Sequence, residues 1–362
     1  MCARTMVRLT TLVTLAIVWP ATVRGQTEPG AGSGAERIFY VRGDGQRSLD
    51  LLLAHGSQIS ILAPQAYGVG ADGVVQGGVS PEVLSLAREL DIPVMPLIHN
   101  PGFDQNSIHG LLDDPAARAL TIRTMVEEAV KYGYVGWQFD FENIHVSYRD
   151  RHTQFYLEAA EALRPKGFLL SVAVVPTLGG TGETEFQRYM QGNWRESFDM
   201  PAMARIGDFI SLMTYAQHGT VTPPGPIAGL PWMEATLEYA LQQGVPPEKI
   251  SLGIPTYSGF WRPGVDGDGN PRVFGREIHY SIASDWLRDE GAELYWDDTQ
   301  GVHFAFRERS GVFEWLFLED SRSLTEKLRL LDTYSGLRGI SVWVLGAEDP
   351  ETWDVLRDRF GG

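Results

Sequence analysis

The order of apolar runs along this chain predicts an α/β protein: a closed (β/α)8 TIM barrel with a small α+β insertion after the seventh strand. Three observations predict it. Eight short β-rich runs alternate with longer helical patterns. The repeated strand, helix, strand order implies parallel strands joined by right-handed crossovers. One connection, from Trp261 to about Leu318, is far longer than a single helix requires. A doubly wound open sheet shares the alternation, and eight runs make the barrel the economical reading.

The runs are Arg37–Val41, Gln58–Ala63, Pro93–Ile98, Val135–Phe141, Phe168–Val174, Asp208–Tyr215, Lys249–Pro255 and Gly339–Val344. Helical patterns lie between them at Pro81–Leu90, Pro115–Tyr132, Arg149–Leu163, Pro231–Gln243 and Ser323–Tyr334. Ser80-Pro81 and Asp114-Pro115 read as an N-cap followed by a first-turn proline. The insertion, about 262–318, holds the turn-rich Gly264-Val-Asp-Gly-Asp-Gly-Asn-Pro271 and strand-like pieces at Glu293–Trp296, Val302–Arg307 and Val312–Phe317. An insertion after a late barrel strand is expected to wall a cleft at the C-terminal face.

Residues 1–25 carry Arg4 and Arg8, an apolar run from Leu9 to Trp19 and small residues before Gln26, the pattern of a secretory signal peptide. A retained N-terminal anchor is the alternative. Residues 26–35 form a flexible spacer, and 36–362 are expected to make one barrel domain. The expected location is secreted, periplasmic or cell-envelope, with no membrane association after signal removal and a monomeric state. The formal charge is −16, and loss of Arg4, Arg8 and Arg24 with the leader takes it to −19. That balance disfavours nucleic acid and anionic lipid as partners. The single cysteine, Cys2, falls in the leader, so stability is expected to come from a large core rather than disulfides.

The segment Tyr134-Val-Gly-Trp-Gln-Phe-Asp-Phe-Glu-Asn143 carries the chemistry. With the period of two that a strand imposes, Val135, Trp137, Phe139 and Phe141 face one way, and Gly136, Gln138, Asp140 and Glu142 the other. A solvated strand face could look similar, but it would more often carry Thr, Lys or Arg. A barrel strand with its apolar side on the helices and its acids at the C-terminal mouth fits better, because burying acids without partners is costly outside a functional site.

Gly136-Trp-Gln-Phe-Asp-Phe-Glu142 resembles the signature of glycoside hydrolase family 18, three spaced aspartates followed by a glutamate. The last aspartate and the glutamate stand here as Asp140 and Glu142, the middle acid is Gln138, and the first position is Val135. Phe209-Ile-Ser-Leu-Met-Thr-Tyr215, Ile250-Ser-Leu-Gly-Ile-Pro-Thr-Tyr257 and Gly339-Ile-Ser-Val-Trp-Val-Leu-Gly346 resemble the family's sixth, seventh and eighth strands. The resemblance covers roughly Arg37 to Phe360 and is closest to the spore-germination subgroup, which includes cortex-lytic N-acetylglucosaminidases. Ala216 departs from the family, where an aspartate usually follows the tyrosine.

The resemblance implies a glycosidase acting on an aminosugar polysaccharide or oligosaccharide of peptidoglycan or chitin type, without a cofactor or metal, and the leader adds the expectation of export. It implies a retaining, substrate-assisted reaction. Glu142 would protonate the glycosidic oxygen, Asp140 would hold the acetamide N–H and raise the pKa of Glu142, and Tyr215 would orient the acetamide oxygen. Trp343 would form the sugar's apolar floor. Gln138 would hydrogen-bond Asp140 without relaying a proton, shifting or narrowing the pH optimum. Tyr257, Trp261, Trp232, Tyr67 and Asn100 lie at or after predicted strand ends and are candidate sugar contacts, with plain core packing as the alternative.

Two competing readings remain open: a catalytically silent sugar-binding protein, favoured by Gln138 and Ala216, and a two-carboxylate glycosidase using Glu319. Other signals are set aside. Gly68-Val-Gly-Ala-Asp-Gly73 matches a dinucleotide pattern by letter, but no helix follows. Asp266, Asp268, Asn270 and Glu277 have calcium-loop spacing, yet Pro271 and the missing helical flanks favour a polar turn. The eight histidines show no helical metal-ligand pair, and no Gly-x-Ser-x-Gly elbow is present.

Overall fold

The computed structural model describes residues 35–43, 45–288 and 292–361. The leader and all but the last residue of the spacer lie outside the described residues. In chain order the strands are β1 (Glu36–Val41), β2 (Ile61–Val69), β3 (Val75–Gly77), β4 (Leu97–His99), β5 (Gly136–Asp140), β6 (Leu169–Val174), β7 (Phe209–Leu212), β8 (Ile250–Pro255), β9 (Ser258–Val265), β10 (Pro271–Ile278), β11 (Glu293–Asp297), β12 (Val302–Arg309), β13 (Val312–Leu318) and β14 (Gly339–Trp343). Eight of them run parallel in the order β1, β14, β8, β7, β6, β5, β4, β2, and pairing of β1 with β2 through Ile38 and Ile61 closes the ring. This is the expected (β/α)8 barrel; β3 folds back antiparallel on β2 as a short flap.

Several strands depart from the predicted runs. β2 continues through Pro64 to Val69, with a register irregularity between Gln65 and Tyr67. Regular pairing of the third barrel strand is confined to Leu97–His99, with an isolated bridge from Leu62 to Val94, because Pro93 and Pro96 cannot donate to the ladder. β7 ends at Leu212, three residues before Tyr215. Helices Pro115–Tyr132 and Arg149–Leu163 have the predicted bounds. The first is capped by the Asp114 side chain and closed by Gly133 at φ 76, a left-handed turn that favours glycine. The short helices Gln105–Asp113 and Met200–Ile206 are absent from the sequence reading, and the predicted Ser323–Tyr334 divides into Ser321–Leu328 and Leu330–Thr333.

Two apolar layers form the core. Inside the barrel lie Ile38, Tyr40, Ile61, Ala63, Met95, Leu97 and Phe209. Outside it, Trp137 and Phe139 pack with the surrounding helices, and Trp137 Nε1 donates to the Met125 carbonyl at 2.9 Å. Val135 is a correction to the predicted alternation: it packs against the inner layer. The second sheet is antiparallel, in the order β10, β9, β13, β12, β11, and begins at Ser258, immediately after β8. Phe260, Ile278, Leu316 and Leu318 of this sheet pack on Ala283 and Trp286 of the helix Tyr280–Arg288. The stretch read from sequence as a polar turn closes a β9–β10 hairpin, in which Asp266 Oδ1 accepts from the Asp268 and Asn270 amides at 3.0 and 2.9 Å. Its spacing thus serves a turn, with Glu277 far along β10.

Candidate active site

Asp140 is the last residue of β5, and Glu142 follows it at the barrel mouth. Asn100, after β4, holds that exit from both sides: its Oδ1 accepts from the Glu142 amide at 3.1 Å and its Nδ2 donates to the Glu142 carbonyl at 3.0 Å. The next residue, Asn143, sits at φ 54, a conformation asparagine tolerates better than most residues. Two backbone hydrogen bonds and a turn therefore aim the glutamate.

Asp140 is buried and Glu142 half-buried, and their electrostatics are unusual for so enclosed a pair. Asp140 is 3% exposed, and among the described residues its one side-chain donor is Gln65 Nε2 at 3.3 Å. Among the described residues no cation pairs with either acid. Burial pushes Asp140 up to about 6, against the Gln65 hydrogen bond. Burial, and then the charge of Asp140, push Glu142 well above the ordinary carboxylate range. One acid thus stays protonated while its neighbour can ionise.

Both acids open into a cavity of about 530 Å³ lined by aromatic rings. Tyr215 and Tyr257 meet edge to face at 6.4 Å and Phe103 and Trp194 at 6.2 Å, while Tyr40 and Trp343 lie tilted at 5.3 Å. Burial raises the Tyr215 and Tyr257 hydroxyls well above their usual range, so both remain donors. Tyr215 can approach β8 because position 253 is glycine: a Cβ there would lie 2.5 Å from the Leu212 carbonyl and 3.0 Å from the Tyr215 ring. Trp343 is fixed by Thr256, whose amide donates to the Trp343 carbonyl at 2.8 Å. The Thr256 hydroxyl accepts from the Val344 amide at 2.7 Å and donates to the Val344 carbonyl at 2.8 Å.

The cavity brings together Glu142, Asp140, Tyr215, Tyr257 and Trp343. The other sequence-predicted contacts lie elsewhere, each for a physical reason. Gln138 is enclosed below the cavity, where its Nε2 donates to Ser171 and Ser211 at 3.0 and 2.9 Å rather than to Asp140. Ser211 and Ser251 in turn pair with Ser341, giving a belt of hydroxyls across the barrel interior. Tyr67 points to the helices and bonds Glu128 and Tyr134, because the irregularity after Gln65 turns it to the outer face. Asn100 holds the Glu142 backbone and is itself fully buried. Trp261 packs edge-on to Phe317 and donates to the Thr222 carbonyl, and Trp232 packs on the core. Glu319 is buried in an ion pair with Lys327 and is not a cavity residue, which removes the two-carboxylate version built on it.

Tyr40, Arg42, Gln65, His99, Trp194, Arg195 and Glu277 also line the cavity and were not singled out as contacts. Gln65 lies beyond Pro64, where the strand pattern breaks. Trp194 and Arg195 belong to a π-helical turn, Gln191–Arg195, with no periodic signal. Glu277 is carried in by the β9–β10 hairpin. A neighbouring Arg42 opposes the upward push of burial on this glutamate. Among the described residues no group of three or more His, Cys, Asp or Glu is arranged to hold a metal ion.

A closed parallel barrel with two unpaired acids at the end of its fourth strand defines the class of this protein, and the sequence profile of glycosyl hydrolases family 18 matches residues 79–348. The chain belongs to that family of glycosidases. Among its relatives is the cortical fragment-lytic enzyme of Bacillus subtilis (strain 168), 29% identical over 264 residues, a match covering 73% of this chain and 58% of that protein. The match thus spans less than two thirds of the relative's length. In fold it is similar to the spore cortex-lytic enzyme SleL of Bacillus cereus (TM-score 0.80, 24% identity, 91% of this chain and 75% of that one). It is also similar to a chitinase of Chromobacterium violaceum (TM-score 0.77, 24% identity, 89% and 98%).

Proposed function

We propose that the protein is an exported glycoside hydrolase that cleaves β-linked N-acetylglucosamine-containing glycans, of peptidoglycan or chitin type, with retention and substrate assistance. The observation that carries this reading is the unpaired acid couple in an aromatic cavity. Glu142, kept protonated by burial and by Asp140, gives its proton to the glycosidic oxygen. The carbonyl oxygen of the sugar's own N-acetyl group attacks the anomeric carbon as the leaving group departs, forming an oxazolinium ion. Asp140 accepts the acetamide N–H and balances the growing positive charge, and the Tyr215 hydroxyl donates to the acetamide oxygen. Water then opens the ring from the same face, with Glu142 as base. Trp343 offers a flat apolar surface beneath the sugar.

Aryl glycosides whose N-acyl group is acetyl, fluoroacetyl or trifluoroacetyl test the internal nucleophile. The rate is expected to fall with each step, because fluorine weakens the carbonyl oxygen; a rate indifferent to the acyl group would refute substrate assistance. Gln138 and Ala216, the latter at φ 59, favour the silent sugar-binding reading. Glycan binding with no turnover by the intact protein would establish it.

The leader pattern and the acidic balance support export as a soluble protein. No helix among the described residues is long and apolar enough to cross a membrane. Amidst such a design the expected state is a monomer acting without a cofactor.

A further inference from the structure

Most partly buried arginines of this acidic chain are neutralised by a carboxylate. Arg118 meets Glu158 at 2.8 Å, Arg307 meets Glu314 at 2.6 Å and Arg338 meets Glu36 at 2.7 Å. Among the described residues no carboxylate pairs with two arginines that line the cavity. Arg42 lies over the Trp343 ring, 5.9 Å from its centroid, and acts on Glu277. Arg195 has neither an ion pair nor a hydrogen bond among the described residues, and its Nε is buried without an acceptor. Its chain neighbour Glu196 influences it only at a distance.

A buried donor with no acceptor is costly, the more so on a charged group, and so asks for an explanation. The position of Arg195 supplies one. It lines the catalytic cavity and also a neighbouring groove of about 500 Å³, so its guanidinium stands where the two meet. The groove is built from Gly179, Gly180 and Gly182, all at positive φ, and is braced by Gln191, whose Nε2 donates to the Gly179 and Gly180 carbonyls at 2.8 and 3.1 Å. A planar fork with five donors, set in a partly desolvated wall and left open, matches a carboxylate better than a neutral hydroxyl or acetamide.

We propose that Arg195 is a specificity-determining residue that binds a carboxylate carried by the glycan, as on the 3-O-lactyl arm of an N-acetylmuramic acid unit. This rests on the glycosidase reading above and selects, within it, an anionic aminosugar strand over neutral chitin. It also places the reaction in a sequence. In peptidoglycan bearing stem peptides the lactyl carboxyl is held in an amide, so a free carboxylate arises only after an amidase-class hydrolysis has removed the peptide. The preferred substrate is therefore a peptide-stripped strand.

Isothermal titration of the full chain carrying Glu142→Gln, which separates binding from turnover, tests this with two ligands. They are the disaccharide N-acetylglucosaminyl-N-acetylmuramic acid and the same disaccharide with its carboxyl converted to a primary amide. The acid is expected to bind roughly tenfold to a hundredfold tighter than the amide, the range for a charged hydrogen bond. Adding Arg195→Gln should bring the ratio close to one, and Arg195→Lys should leave an intermediate ratio. Equal affinities with Arg195 in place, no binding of either ligand, or a preference that survives Arg195→Gln would each overturn the proposal. If Arg195→Gln does not fold, the ligand pair and Arg195→Lys still decide the matter. Failure of the glycosidase reading shows separately, as wild-type protein that releases no new reducing ends from any strand.

Discussion

Glu319 and the Asp140–Glu142 couple are both enclosed by protein, yet only Glu319 has a counter-charge. Its Oε2 lies 2.5 Å from Lys327 Nζ and accepts from the Ser323 hydroxyl at 2.9 Å, where the end of the insertion sheet meets the helix Ser321–Leu328. That carboxylate has a partner and holds two elements together. Among the described residues the couple at the end of β5 has only the Gln65 amide as a side-chain donor, and it faces a cavity instead of a helix. Burial of charge with a partner marks structure, and burial without one marks chemistry.

The sharpest way to break this distinction is to remove one member of each group. Glu142→Gln should lower turnover by roughly 10²–10⁴, the usual contribution of a general acid, while leaving thermal stability unchanged or raised. Lys327→Met should do the reverse, lowering unfolding free energy by about 3–5 kcal/mol because Glu319 is left charged and buried, with the pH–rate profile unmoved. Melting curves and rates for the two variants check both; a Glu142→Gln protein that melts far below wild type would erase the contrast.

The next effect is on pH-dependent stability. Asp140 is raised from an ordinary value near 4 to about 6, so between those values the folded state binds the extra proton. Its contribution is fully present at low pH and is lost as pH rises through about 6, at a slope of about 1.4 kcal/mol per pH unit. Denaturant titrations from pH 4 to 7 should show that decline, and Asp140→Asn should flatten it. An unchanged slope in Asp140→Asn would mean that the site is better solvated than its enclosure indicates.

The smallest predicted effect concerns Gln138. Its amide is committed to Ser171 and Ser211, so it leaves the charge of Asp140 unshared. Gln138→Asp should add a third acid, buried beneath the couple, moving the acid limb of the kcat/KM profile while leaving peak activity within severalfold. An unmoved profile would show that this position is electrically silent.

How much of this was legible in the sequence follows from where periodicity holds. The barrel and the placement of Asp140 and Glu142 follow from a period of two over β5, and two helices have their predicted bounds because their caps are local. Tyr67 was misplaced because one irregular step between Gln65 and Tyr67 reverses the face, an event invisible to a period. Trp261 was misplaced because the insertion sheet starts at Ser258, before the stretch that reads as a break. Arg195 and Glu277 are not legible as cavity residues because a π-helical turn and a hairpin, rather than a barrel strand, bring them there. Local rules set the strands, and tertiary closure selected the charged wall.

The most direct test of the central claim follows the first-formed product by proton NMR in fresh reactions of wild type and Glu142→Gln on N-acetylglucosamine-containing strands. The account predicts β-configured reducing ends first, mutarotating later, from wild type, and none in the same time from Glu142→Gln. First appearance of the α anomer, or undiminished cleavage by Glu142→Gln, would contradict it.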